Sequence, residues 1–273
     1  MDKKQYDQLI QDGRLFMHNM HGDETDVEWT SDQIKKLPQP PLVKEQMSEE
    51  VIPLTRDFEN CIKEHDFLAL LRTRKSNRVY TDGTMTIDQL SFLLWAVQGV
   101  KSIRGKSYAT LRTVPSGGAR HPFETYMIVR NIEGLKQGLY HYLPMSHSLE
   151  FLKEIEDIEE VMNKAVCEQA WVKKASVLFV FTCVPYRAEW RYSYDAHRTA
   201  LIDLGHVGEN LYLACGAVHL GTCGIAAFDD FFVNDFLGID GNEEFVCYTQ
   251  PAGTVKEEDK AAEDAFYSFL EEE

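Results

Sequence analysis

The chain has 273 residues, enough for one large domain, or one domain with an appended segment, around a sizeable core. Its 44% hydrophobic and 11% aromatic content excludes a disordered chain, and no apolar run is long enough to span a bilayer. A net charge of −16 argues against a nucleic acid or an anionic membrane as partner.

The first residues, Met1-Asp2-Lys3-Lys4-Gln5-Tyr6, lack the apolar stretch of a secretion signal. Cys61, Cys167, Cys183, Cys215, Cys223 and Cys247 form no CxxC pair and no zinc-like spacing. Reduced thiols in a cytoplasmic protein are therefore expected.

In chain order, residues 1–59 read as an arm. Tyr6, Leu9, Ile10, Leu15 and Phe16 have helical spacing. Leu37-Pro38-Gln39-Pro40-Pro41-Leu42 favours an extended backbone, suited to lying on a surface, a partner subunit's among them. A flexible tail would read the same way.

Residues 60–273 read as one compact domain. A short helix is predicted over residues 66–71, and a second begins at Thr86, an N-cap before apolar residues at helical spacing. Thr125–Val129 reads as a strand and Gly138–Tyr142 with Ser148–Leu152 as a hairpin. Ser176–Val184 is a continuous apolar run, as in a central buried strand. Thr199–Leu220 is a long helix, apolar on more than one face, and Glu244–Thr249 is a last strand. Beyond Lys256 the chain is acidic, with Ala261, Ala262, Phe266, Phe269 and Leu270 at helical spacing. Strands and helices do not alternate strictly. An α+β layered domain follows, with a mixed or antiparallel central sheet flanked by helices, rather than a doubly wound parallel sheet.

Charge is unevenly spread. Between Arg72 and Arg120 nine basic residues face only Asp82 and Asp88, so this segment is +7. It suits either a small anion or a solvated basic face.

Three motifs stand out. Arg72-Thr73-Arg74-Lys75-Ser76-Asn77-Arg78 places four cations and a hydroxyl at a helix exit, and arginine forks with a serine hydroxyl suit a phosphate dianion. Val114-Pro115-Ser116-Gly117-Gly118-Ala119-Arg120-His121-Pro122 precedes a strand, and its glycines let backbone N–H groups approach a ligand. It is neither a G-x-S-x-G elbow nor a P-loop nor G-x-G-x-x-G. Gly221-Thr222-Cys223-Gly224-Ile225-Ala226-Ala227-Phe228-Asp229 follows the long helix, and its small residues would let a flat ring lie against the backbone. A basic loop, a tight turn and a helix-capping loop are the plainer readings of the three.

Their order, with the hairpin Gly138-Leu139-Tyr140-His141-Tyr142 and the helix Leu201–Ala214, resembles the nitroreductase superfamily, and within it the SagB-type azoline dehydrogenase branch. That resemblance covers about residues 60–253. It implies a flavoprotein, an intertwined homodimer with two FMN sites at the interface. Arg74, Lys75 and Ser76 match phosphate-side positions, and Arg78 matches the cation facing the isoalloxazine pyrimidine edge. Pro115, Ser116 and Gly117 match a loop given by the other subunit. Gly224, Ile225, Ala226 and Ala227 match the wall behind the ring. The implied activity is hydride transfer through flavin N5 to or from a small molecule, with NAD(P)H as candidate donor.

Two departures stand out. The branch carries a Lys-Tyr pair before the long helix; here it is Arg191-Tyr192, and arginine is a poor base, which leaves Tyr192 as the candidate proton donor. A further C-terminal cation that many relatives use on the phosphate is replaced by Lys256 and Lys260 among acids, so Arg112 is considered as a supplement. Two other activities stay open: azoline oxidation in a modified peptide, and a flavin-binding regulatory module with little turnover. No metal is expected, because Asp195, His197, Asp203 and His206 follow no ligand pattern. Trp190, Tyr192 and Tyr194 suit a substrate pocket or plain packing, and Cys223 a redox thiol or a small buried one.

Overall fold

The computed structural model describes residues 2–18 and 30–256. The helical spacing from Ala261 to Leu270, and Lys260, lie outside the described residues.

Helix α1 (Lys3–Phe16) leads into an extended segment and strand β1 (Val51–Pro53). Next come α2 (Phe67–Thr73), α3 (Ile87–Gln98), β2 (Val100–Arg104), β3 (Ala109–Arg112), β4 (Phe123–Val129), β5 (Gly138–Leu143) and β6 (Ser148–Glu154). The chain continues through α4 (Ile158–Ala165), β7 (Val177–Cys183), α5 (Tyr186–Tyr192), α6 (Ala196–Ala217), β8 (Leu220–Thr222), α7 (Asp230–Leu237) and β9 (Phe245–Thr254).

Seven strands form one sheet in the order β1-β6-β5-β4-β7-β9-β8. Every pairing of these strands is antiparallel. Period-two alternation splits the strands between two cores. Met127, Val129, Phe179 and Phe181 pack with α3 and α6 on one face. Tyr126, Ile128, Leu178 and Val180 pack with α4 and α7 on the other. All seven residues of β7 are buried, as its continuous apolar run requires.

Local chemistry starts the helices. Thr86 and Gln89 form a capping box at α3, and Asp66 accepts the Leu68 and Ala69 N–H groups at α2. The long helix begins three residues before its expected start and ends at Ala217, because Leu220 pairs with Thr254 in the sheet. The β2–β3 hairpin was not expected; β2 carries Lys101 and Arg104, and four of its five residues are exposed.

Part of the arm lies on the chain's own sheet. His141 is fully buried between Glu150 (2.7 Å) and Glu124 (3.1 Å), and Glu124 also pairs with Arg187. The same carboxylates accept arm N–H groups: Lys44 to Glu124 (2.9 Å), Met47 (2.6 Å) and Ser48 (2.7 Å) to Glu150. Burial alone would lower the His141 pKa, but its hydrogen bonds to both carboxylates outweigh it and raise it. Buried carboxylates so engaged hold the arm by charge-assisted bonds.

Candidate functional site

The first motif leaves α2 at Arg74 and runs beside the sheet edge. Asn77 N–H donates to Thr222 O (2.9 Å) and Thr81 N–H to Thr254 O (2.8 Å). These bonds set the loop against β8 and β9. Beside it lies a cavity of about 860 Å³, whose wall includes Arg72, Thr73, Arg74, Lys75, Tyr212 and Lys256. Glu64 is the acid on that wall. Lys256, an uncertain substitute in the sequence, thus joins the cationic end. Arg112 does not. It is buried, its guanidinium bonded to Thr110 Oγ1 (3.1 Å), Gln98 Oε1 (2.7 Å) and Leu42 O (3.3 Å). Burial pushes its pKa down to about 10. Arg120 is buried too, over the Tyr108 and Trp190 rings. The +7 segment is therefore divided among a cavity, the exposed β2–β3 hairpin and structural posts.

The third motif meets the first through Tyr212 of α6. The Tyr212 hydroxyl lies 2.9 Å from Ser76 Oγ and accepts Gly224 N–H at 2.8 Å, and its ring carries the Arg74 guanidinium at 5.1 Å. Ser76 turns to Tyr212, while Arg74 and Lys75 line the cavity. Gly224 has a packing reason: a Cβ there would lie 1.7 Å from the Tyr248 hydroxyl. Ile225 is buried and bridged to Thr249, and Ala226 and Ala227 are exposed. Arg78 lies over the Trp171 ring at 6.0 Å, and Trp171 edges the apolar cluster that holds Ile225.

The second motif sits elsewhere on α6. Gly117 N–H donates to both oxygens of Asp203 (3.1 and 3.0 Å), and His121 N–H to Ser116 Oγ (2.9 Å). Burial raises the Asp203 pKa, against the opposing bonds from Ser116 and Gly117. Pro115 is exposed at the loop's start. Gly118 has φ +57°, and a Cβ there would lie 2.6 Å from the Tyr192 hydroxyl. Within the chain these glycines make room for α5 and α6 side chains, where the sequence suggested room for a ligand. Burial, then Arg112, pushes His121 down to about 3, so it is neutral near pH 7.

Tyr192 therefore stands with Pro115, Ser116 and Gly117, apart from Arg74, Lys75, Ser76 and Gly224. Asp203 and Tyr212 are nine residues apart on one helix, or roughly 13 Å at 1.5 Å per residue. One chain does not bring the two groups together. Next to Tyr192, Ser193 has φ 49° and ψ −131°, a strained junction between α5 and α6.

The Nitroreductase family profile matches residues 71–254, the span that holds all three motifs. The chain belongs to the nitroreductase family. It is 30% identical over 184 residues to MJ1384 of Methanocaldococcus jannaschii, a protein named as a nitroreductase, covering 67% of this chain and 88% of that one. It is 31% identical over 133 residues to the trifolitoxin-processing protein TfxB of Rhizobium leguminosarum bv. trifolii, covering 47% of this chain and 36% of TfxB. It is 25% identical over 151 residues to the microcin B17-processing protein McbC of Escherichia coli, covering 54% and 56%. These two relatives support the SagB-type branch.

Solved structures share the nitroreductase fold. One named as a nitroreductase, from Ralstonia eutropha, aligns with TM-score 0.63 at 24% identity, over 81% of this chain and 99% of that one. A chain of the E. coli microcin synthetase McbBCD complex with truncated pro-MccB17 bound aligns with TM-score 0.57 at 17% identity, over 92% and 93%.

Against this nitroreductase-family background, Arg191 is a committed cation. Its Nη1 donates to the Tyr108 hydroxyl at 2.6 Å, and its guanidinium lies 5.4 Å from the Tyr192 ring centre. Among the described residues, no group of three or more His, Cys, Asp and Glu is placed to hold a metal, and no helix is long and apolar enough to cross a membrane. Asp203 is bonded to the glycine loop and His197 to Glu189 (2.6 Å). Sequence reasoning missed Tyr212 and the structural role of Asp203. Both looked like ordinary positions of a helix apolar on several faces, and only their partners distinguish them.

Proposed function

We propose that the chain is an FMN-dependent oxidoreductase acting as a homodimer on a small molecule, with NAD(P)H as candidate electron donor. The carrying observation is the convergence on Tyr212, which lines the cavity beside Arg74 and Lys75: Ser76 and Gly224, far apart in sequence, both bond to its hydroxyl. The residues fit the cofactor. Arg72, Arg74, Lys75 and Lys256 offer a phosphate dianion charge-assisted donors, and about 860 Å³ is within the range of cofactor pockets.

When bound, FMN would supply two-electron hydride chemistry at N5. In this reading Arg74, Lys75 and Ser76 hold the phosphate. Arg78 sets positive charge toward the pyrimidine edge. Gly224, Ile225, Ala226 and Ala227 wall the ring. Pro115, Ser116 and Gly117 come from the partner subunit, and with them comes Tyr192, which holds a proton on its phenol oxygen. The separation of the two groups along α6 supports a site completed by a second copy. So does the exposed strip Leu201, Ile202 and Gly205 on the same helix, an apolar surface suited to a second helix.

Purified protein should be yellow or should take up added FMN, read from the visible spectrum. A colourless protein that binds no FMN would remove the reading.

A second reading, azoline oxidation in a modified peptide, is favoured by the kinship to two processing proteins, TfxB and McbC. Arg191 opposes it, because a guanidinium already bonded to Tyr108 is a poor base. A thiazoline peptide that is not oxidised by the flavin-loaded protein would dismiss it. Steady-state NAD(P)H oxidation with a quinone or nitroaromatic acceptor separates an enzyme from a flavin-binding regulatory module.

A further inference from the structure

Tyr212 is half-buried on α6, a helix locked into the core by Val207, Leu211, Ala214 and Cys215. Its ring and hydroxyl do separate things. The phenol has one proton. Gly224 N–H can only donate, so the phenol oxygen accepts there (2.8 Å), and it shares a second hydrogen bond with Ser76 Oγ (2.9 Å) that either hydroxyl can donate. In either sense one hydroxyl proton of the Tyr212–Ser76 pair is left for a further acceptor. The ring face meanwhile carries the Arg74 guanidinium at 5.1 Å. Arg74 is exposed, and an arginine held on a ring gives up less rotamer freedom when an anion arrives.

We propose that Tyr212 is a positioning residue that presents Ser76 and Arg74 to a phosphate monoester, giving the site its preference for a phosphorylated flavin over the bare one. The proposal rests on the flavin reading above. Tyr212 acts through the loop and touches no reacting atom. A hydroxyl pair anchored by a backbone N–H keeps one proton for a further acceptor, and a dianion is the strongest one on offer.

The test is the ratio of FMN to riboflavin affinity, read by quenching of flavin fluorescence, with the apoprotein's melting temperature alongside. Tyr212→Phe keeps the ring under Arg74 and removes the hydroxyl. It should weaken FMN about tenfold, weaken riboflavin much less, and lower the melting temperature only slightly, because Gly224 N–H loses its acceptor. Tyr212→Leu, which also removes the ring, should weaken FMN further. Adding Tyr212→Phe to Ser76→Ala should cost little more than Ser76→Ala alone, because the two act in series. A wild type that prefers FMN, with Tyr212→Phe keeping the same ratio, overturns the proposal and leaves the flavin reading intact. Equal weakening of both flavins with a lowered melting temperature makes Tyr212 a packing residue and overturns it too. A wild type that binds neither flavin overturns the flavin reading, and the proposal with it.

Discussion

The two ends of α6 handle charge in opposite ways. Around Tyr212, Arg74 and Lys75 are exposed at an open cavity, with one carboxylate, Glu64, on its wall. Around Asp203, a buried carboxylate draws in the backbone of the Pro115–Gly117 loop, and α5 side chains fill the space beside its glycines. The first end presents its cations at a cavity, while the second uses its charge to shape a loop. A helix that serves both ends fixes the distance between them, and in the proposed dimer each site takes its second end from the other copy.

The sharpest way to break this comparison is at Gly224. Any side chain there collides with the Tyr248 hydroxyl, so Gly224→Ala should cost about 2–3 kcal/mol of stability, as overpacking does. FMN uptake should fall with it. Tyr248→Phe in the same chain should recover part of the stability, read by denaturant unfolding; no recovery would mean that the collision is not the cause.

Of comparable size is the effect at the cationic end. Arg74→Ala with Ser76→Ala should weaken FMN about a hundredfold, or on the order of 3 kcal/mol, while the apoprotein stays folded. Equilibrium titration checks it, and unchanged affinity would move the phosphate away from this loop.

Mixed dimers sharpen the assignment of ends. Subunits carrying Arg74→Ala and Ser76→Ala, paired with subunits carrying Gly117→Val, should hold about half the FMN of wild type if each site takes one end from each copy. One site then receives both lesions and the other none. If each site lay within one chain, no intact site would form, and bound FMN would stay near zero.

The smallest effect is expected at Asp203. Asp203→Asn keeps one acceptor for Gly117 N–H and should cost about 1 kcal/mol at acidic pH. The carboxyl's folded pKa is raised, so its contribution is fully present below its unfolded value and is lost as pH rises through the folded one. The advantage of wild type over the Asn variant should therefore narrow upward through that range. An advantage that widened with pH would contradict the burial of a neutral-leaning acid.

Much of the fold was written in patterns of period and punctuation. The unbroken apolar run at residues 176–184 reads as a buried central strand, and it is β7, enclosed between β4 and β9. Thr86 before a helical apolar repeat announced α3. The β2–β3 hairpin was illegible because its charged, exposed residues carry no alternation. Leu220 was assigned to the wrong element because an apolar residue at a helix end reads like one more turn, and only its partner Thr254 makes it strand.

At the site, the sequence by itself determined which residue types were on hand: a cluster of cations near Arg74, glycines at residues 117, 118 and 224, and an arginine where relatives suggest a lysine. Tertiary structure decided what each one meets. It sent Arg112 into the core and brought Lys256 to the cavity. It joined Ser76 to Gly224 through Tyr212. The reason is physical: periodicity and propensity act over a few residues, whereas a hydroxyl's partners 136 and 12 positions away are chosen by how a helix packs on a sheet.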